Sequence, residues 1–373
     1  ITSRAWRLVY WSWRSLNISM EYPSLNTAKA GAMRFNTDSS QLEIYDGNQW
    51  TGIQATSPDL LTGGTRGVLG AGRSEGGASQ TKINNIQYIN IATTGNAIDF
   101  GDATYKDARC SGQVSSRTRG ILMRTGSADA TMDFITIAST GNAQEFGEDT
   151  IAALGASCSS ETRGINMAGE GTNSISYITI ATTGNSIDFG DVFSQGGGGG
   201  YNGACGVSSP TRGIAVCGRI HPSPNNDGNS IEFITIASTG NAADFGDLTS
   251  TTAYSAAAGN STRGLVFSLR SGGSPAQTNM IDYINIATLG NSARFGELAR
   301  TNSGASTANN GTGVSSPTRA VYCGGYGSPA PQYSVNNTME FVQIMTEGNS
   351  VDFGDLVQKV KAAAGMSNGH GGL

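Results

Sequence analysis

The stretch ITIASTGNAADFGD, from Ile234 to Asp247, decides the fold. It reads as an apolar strand, a Thr-Gly-Asn turn and a second strand that ends in an acid-flanked Phe-Gly. Five other stretches repeat it. They are INIATTGNAIDFGD (Ile89 to Asp102), ITIASTGNAQEFGE (Ile135 to Glu148), ITIATTGNSIDFGD (Ile178 to Asp191), INIATLGNSARFGE (Ile284 to Glu297) and VQIMTEGNSVDFGD (Val342 to Asp355). The turn glycines fall at Gly95, Gly141, Gly184, Gly240, Gly290 and Gly348, a period of about 50 residues. Strand-like content at that period means propeller blades or a β-solenoid.

Outward from the phrase, each repeat supplies two more strands. A small strand comes first, as in GASCSS, GACGVSS, AAAGN and GTGVSS. A turn containing Thr-Arg follows, at Arg66, Arg119, Arg163, Arg212, Arg263 and Arg319, and then a strand such as GIAVCG or AVYCGG. Four short antiparallel strands per repeat make a propeller blade. Small residues suit the innermost strands, which crowd a central channel, while Ile, Tyr and Phe fill the wider outer part. The first repeat enters at its second strand, and the last runs on into VKAAAGMSNG (Val360 to Gly369), a first strand with nothing after it. The expected fold is therefore all-β, a six-bladed β-propeller closed by the C-terminal strand, which leaves no open sheet edge. Cys110, Cys158 and Cys205 are read as one small buried repeat position, and Cys217 with Cys323 as another.

Residues 1–58 lie outside the repeat and hold Trp6, Trp11, Trp13 and Trp50, all the tryptophans of the chain. Gly31 to Ile53 alternates as a β-hairpin, with a second turn at Asp46-Gly47. The expected division is 1–58, an N-terminal segment with a small β-hairpin, and 59–373, the propeller. A hairpin is marginal alone in water, so this one needs a partner surface. The chain lacks an initiator Met, as a processed or partial sequence does.

Composition narrows the function. Among 373 residues there are 53 glycines, only 14% are charged and the net charge is −5, which argues against a nucleic-acid surface. No apolar run is long enough for a membrane-spanning helix. The two histidines, His221 and His370, are isolated, and no Cys/His cluster suggests zinc, so no cofactor or metal is expected. Asp102, Glu148, Asp191, Asp247, Glu297 and Asp355 recur after every Phe-Gly. They read as scaffold, pairing with the repeat arginines or accepting backbone N–H bonds in a turn. Calcium held by acids such as Asp99 and Asp102 is the alternative, though calcium loops carry denser oxygen ligands. No acid breaks the repeat with a partner motif, and no nucleophile–His–acid set is present, so catalysis is not expected.

Where the repeats differ is more informative. Turns after first and third strands are uniform, whereas connections after second and fourth strands vary and share one side of the disc. Such loops on a rigid frame suit recognition. Tyr201, His221, Asn226, Tyr326 and Tyr333 lie there and are the candidate receptor-facing residues.

Two parts of the chain resemble known proteins. The Cys-Gly-Gly-Tyr of Cys323 to Tyr326 and the Ile-x-Tyr/Phe-Ile third strands resemble a divergent kelch-like propeller. The whole repeat resembles TRGVFGGG/ITIASTGNATDFGDLT repeats in structural proteins of tailed phages, especially those of marine cyanobacteria. The hairpin, with Tyr45, Asp46, Gly47 and Trp50 as its YDG-x-x-W ending, resembles an element of phage tail-fibre and other virion appendage proteins. The chain lacks the regular Tyr/Trp pair of strict kelch blades, so kelch partners do not carry over. The resemblance implies a multicopy, homo-oligomeric protein on the virion surface, a fibre, spike or decoration. Trp6, Trp11, Trp13 and Trp50 would anchor it to other virion proteins, and the variable loops would bind a host-surface glycan or protein. The alternatives are a propeller enzyme degrading host polysaccharide and a purely architectural decoration.

Overall fold

The computed structural model describes residues 29–36, 41–52, 64–74, 81–106, 113–123, 130–149, 155–169, 171–193, 200–216, 218–221, 227–267, 279–299, 310–327 and 334–373. Its contacts divide the chain into two units, Ile1–Pro58 and Asp59–Leu373. The described residues contain strands and turns and no helix.

In the first unit Met33–Asn36, Gln41–Tyr45 and Trp50–Gly52 form one antiparallel sheet in that order. The Asp46 carboxylate accepts the N–H groups of Gln49 and Asn48, which hold it below the usual carboxylate range and fix the second turn. One face is polar and internally bonded. There Asn36 and Arg34 donate to Glu43 at 2.9 and 2.7 Å and lower its pKa, and Arg34 stacks 4.3 Å over Trp50. The other face leaves Met33, Phe35 and Leu42 exposed.

The second unit consists mainly of six antiparallel sheets. Sheet 1 orders Ala364–Ser367, Arg66–Arg73, Lys82–Asn90 and Ile98–Asp102. Sheet 2 has Arg119–Met123, Thr131–Thr136 and Gln144–Glu148, with a bridge from Ser115 to Gly120 at its inner side. Sheet 3 is Ala156–Ser159, Arg163–Gly169, Thr172–Thr179 and Ile187–Asp191; sheet 4 is Cys205–Ser208, Arg212–Val216, Gly228–Thr235 and Ala243–Thr252. Sheet 5 is Ala256–Gly259, Arg263–Phe267, Met280–Asn285 and Ala293–Glu297; sheet 6 is Thr312–Ser315, Arg319–Cys323, Thr338–Gln343 and Val351–Asp355. The strand predicted to be left over does pair with the start of the repeats, Ala364 opposite Gly70 and Ser367 opposite Gly67.

The recurring phrase is the joint between neighbouring sheets. In the fourth sheet Phe245 accepts the Gly290 N–H at 2.9 Å, Asp247 accepts the Ser292 N–H at 2.8 Å, and the Asp247 N–H donates to the Asn291 side chain at 3.0 Å. The Gly-Asn turn of one sheet thus covers the outer strand of the sheet before it, satisfying an edge that would otherwise be open. The same bonds join every consecutive pair and then return, with Gly95 of sheet 1 donating to Phe353 of sheet 6 at 2.8 Å. The Phe-Gly glycine is required by that approach. Gly246 has φ of 147°, and a Cβ on it would lie 2.5 Å from the Gly290 carbonyl oxygen.

Apolar packing fills the spaces between neighbouring sheets. Ile231 and Val266 share one cluster, and Leu69 and Val321 another. Within each sheet the third-strand aromatic meets the Phe of Phe-Gly edge-on, as Phe233 meets Phe245 at 6.0 Å and 75°. The cysteine reading needs correction. Cys158 lies opposite Ile165 and matches Val207 of the next sheet, whereas Cys205 lies opposite Val216 and matches Ala156. The small strands slip in sequence alignment because they carry almost no distinguishing side chains. Cys110 and Cys217 lie outside the described residues.

Candidate functional site

Three regions of the second unit carry polar groups in numbers: the axis where first strands meet, a set of buried acids between sheets, and the side of the long connections. The axis is built from the final residue of each first strand. The Ser208 hydroxyl donates to the Ser159 carbonyl at 2.8 Å, Ser159 to Ser115 at 3.0 Å, and Ser115 to Ser367 at 2.8 Å. Ser367 donates to Ser315 at 2.6 Å and Ser315 to Gly259 at 2.8 Å. Gly259 has no hydroxyl to pass on to Ser208, so the circuit is broken at sheet 5. A Cβ at Gly259 would lie 2.4 Å from the Arg263 carbonyl, which excludes serine there. The second serine of each Ser-Ser pair acts locally instead. Ser209 accepts the Arg212 N–H at 3.0 Å and fixes the Thr-Arg turn, and Asn260 does so in sheet 5 at 2.8 Å.

The axis is occupied by the chain itself. Asn368 and His370 are 3% and 4% exposed, and Gly371 and Gly372 abut Ser208 and Ser159. A void of about 10 Å³ beside Gln113, Cys158, Gly259 and His370 has room for roughly one water. His370, isolated in sequence, is thus buried where the first strands meet. Burial lowers its pKa to about 4 and raises that of the neighbouring Cys158 thiol to about 12.

The buried acids occupy one repeat position that the sequence reading did not single out, between the apolar residue and the aromatic of the third strand. It is Gln87, Asp133, Ser176, Glu232, Asp282 and Glu340 in sheets 1 to 6. Each carboxylate there accepts a backbone N–H from the segment following the previous sheet's Phe-Gly-acid. Thr104 donates to Asp133 at 2.7 Å, Thr249 to Asp282 at 3.1 Å and Ala299 to Glu340 at 3.0 Å. Gln87 serves Val357 in the same way at 2.8 Å. Sheet 3 inverts the pair: Asp149, just past sheet 2, accepts from Ser176 at 2.7 Å and from Ser186 at 2.8 Å. The signal was a recurring acid inside an apolar strand, a placement that is costly unless donors await it.

On the side of the long connections, the link into sheet 4 pairs with a link inside it, Gly200–Asn202 against Arg219–His221. Tyr326–Gly327 pairs with Ser334–Val335 inside the connection of sheet 6. Tyr201 does not face solvent as expected. It is 2% exposed in an apolar cluster, and its hydroxyl donates to Glu232. Burial pushes the Glu232 carboxyl up to about 7, against the lowering effect of the bonds from Tyr201 and Phe193. His221 and Tyr326 lie in those short strands, and Asn226 and Tyr333 lie outside the described residues. Phe193 and Val357, by contrast, are exposed.

The repeat arginines do not pair with the repeat acids. Each guanidinium stacks on its own sheet's aromatic and donates to a carbonyl of the next sheet. Arg119 lies 4.3 Å over Phe134 and reaches Ile180 at 3.0 Å; Arg319 lies 4.7 Å over Phe341 and reaches Ile91 at 3.3 Å. Arg66, Arg163, Arg212 and Arg263 repeat the arrangement toward Ile137, Ile236, Ile286 and Ile344. A carbonyl at a strand end is a fixed acceptor, while the acids sit on the outer strand, away from the turn. Asp102, Glu148, Asp191, Asp247, Glu297 and Asp355 join the scaffold through main-chain N–H groups that donate to the next sheet's turn Asn. Among their carboxylates Glu297 accepts from Arg294, three residues before it, at 3.0 Å. Among the described residues no three potential metal ligands come together. Trp50 is half-buried against Tyr45, with ring centroids 5.3 Å apart, so it is engaged inside its own sheet; Trp6, Trp11 and Trp13 lie outside the described residues. No family model and no curated protein matches this chain.

Proposed function

We propose that residues 59–373 are a six-bladed β-propeller closed by the Ala364–Ser367 strand, and that the protein is a phage virion component. In this reading the propeller is a non-catalytic adhesion module for the host surface, and residues 1–58 attach it to other virion proteins. The cyclic joints, sheet 6 back to sheet 1, support the closed ring. The observation that carries the functional part is the division of labour within the repeat. The first serine of Ser-Ser, the arginine of Thr-Arg and the backbone of Phe-Gly-acid are engaged in holding neighbouring sheets together, and the space where first strands meet is filled by Asn368 to Gly372. What is left to differ between repeats is the one side carrying long connections. Weak contacts there, multiplied by the copies on a particle, give useful avidity.

The test uses the labelled full-length chain with intact cyanobacterial cells and, in parallel, purified surface polysaccharide. The expected result is saturable binding without release of new sugar ends. Release of sugar ends would establish the polysaccharide-degrading alternative, and no binding to any susceptible cell would leave architecture as the role.

A further inference from the structure

The segment that fills the axis fits it as a ligand fits a site. Its Asn368 exchanges bonds with Arg66, the side-chain oxygen accepting at 3.0 Å and the N–H donating at 3.3 Å. Its three glycines sit where a side chain cannot. A Cβ on Gly369 would lie 1.9 Å from the Gly64 carbonyl, one on Gly371 2.2 Å from that of Ser208, and one on Gly372 1.7 Å from that of Ser159. Gly371 also abuts Asn260. The segment therefore touches sheets 1, 2, 3, 4 and 5, and it comes in beside Gly259, where the serine circuit is interrupted.

His370 is bonded on both ring nitrogens. Nε2 donates to the Ser115 carbonyl at 3.0 Å and lies 3.2 Å from the Ser159 hydroxyl, while Nδ1 accepts the Gly372 N–H at 3.1 Å. That pattern needs the neutral Nε2–H tautomer. A second proton, on Nδ1, would face the Gly372 N–H, donor against donor. Among the described residues, the other groups around the ring give no compensation. The charged group that acts on it is Arg117, of like sign to an imidazolium, and the titratable group sharing its void is the neutral Cys158 thiol. The other contacts are carbonyls and hydroxyls of Ser115 and Ser159.

We propose that the axis is a built binding site for an extended glycine-rich peptide bearing one neutral imidazole. Its occupant is this chain's own Asn368–Leu373, which acts as a clasp across five sheets and is released when His370 takes up a proton. The sign follows from the two states. The folded site holds the proton less tightly than the unfolded chain, with a pKa of about 4 against 6.5. The clasp's contribution is therefore complete above pH 6.5 and is lost as the pH falls toward 4.

The test compares the full-length chain with His370→Gln, which keeps a donor and an acceptor but cannot titrate. Between pH 8 and pH 5 the folding constant of the wild type should fall roughly 30-fold relative to that of the variant. An equal pH response of the two proteins would overturn the proposal. If the variant does not fold, the imidazole signals of the wild type decide the matter. His370 should stay neutral at pH 5 with its proton on Nε2, and titration near 6.5 in the intact fold would refute the clasp. Thiol labelling at pH 8 adds a readout of release. Cys158 should be protected in the wild type and exposed when the clasp is unseated by Gly372→Val; protection retained in a folded Gly372→Val protein would count against it.

Discussion

Replacing Gly246 by alanine places a methyl group 2.5 Å from the Gly290 carbonyl oxygen of the neighbouring sheet. An ordinary contact needs the outer strand and the turn to separate by about 1 Å, which loosens the three hydrogen bonds that join Phe245 and Asp247 to Gly290, Asn291 and Ser292. At about 1 kcal/mol each these bonds represent roughly 2–3 kcal/mol, and a non-glycine residue at such a φ adds about 1–3 kcal/mol. The total expected loss is about 3–6 kcal/mol. Gly290→Ala is the control. Its φ of 148° makes the same backbone demand, but nothing lies within 4 Å of the added Cβ, so only the conformational cost remains. Urea denaturation of the full chain measures both. The probe should be far-ultraviolet circular dichroism or tyrosine emission, because all four tryptophans lie in residues 1–58. Gly246→Ala should be less stable than Gly290→Ala by about 2 kcal/mol or more. Equal losses, or a Gly290→Ala protein that is the weaker of the two, would refute the inter-sheet explanation of the repeat.

Three further outcomes follow from the same structure. Arg119→Lys keeps the charge but loses the fork that serves the Ile180 and Ala181 carbonyls and the stacking on Phe134, so the urea midpoint should fall by the equivalent of about 1–2 kcal/mol. Glu232→Gln should stabilise the protein in alkaline buffer and do little in acid. The folded carboxyl, raised to about 7 from 4.5, binds its proton more tightly than the unfolded one, so its contribution is complete below 4.5 and is lost as pH rises through 7. The difference amounts to at most ~3 kcal/mol and is read from urea curves at pH 4 and pH 8. Of the five cysteines, the buried Cys158, Cys205 and Cys323 should resist a thiol reagent in the native protein and react in urea, so native labelling should not exceed two groups per chain.

The strand order and the division into repeats were legible because they rest on alternation and turn chemistry, which are local, and the pairing of Ala364–Ser367 with the first repeat because the repeats left an unmatched strand at each end. What failed was the pairing of side chains between repeats. Arginine and acid recur in every copy, and charge alone suggested that they meet. The strand register instead points the guanidinium at a neighbouring carbonyl and leaves the acid on the last strand of its sheet. Tyr201 lies in a long connection and looked like a contact residue, but Glu232 was already committed to the interior and needed a donor. The buried acceptor position was visible as Asp, Glu or Gln between apolar neighbours, yet it was not singled out. In this fold both faces of the third strand are covered, so a polar residue there marks a bond between sheets. The axial break was also written in the sequence, as Gly259-Asn260 in place of Ser-Ser, but its meaning depends on five other strands.

The central claim is that recognition resides in the long connections and the repeated residues only carry them. It is tested by exchanging the connection at 268–278 for the shorter 124–129 link of the second repeat and measuring binding to intact host cells. The account predicts that binding is lost or sharply weakened while stability in urea stays within about 0.5 kcal/mol of the wild type. Undiminished binding by a folded exchange variant would contradict it.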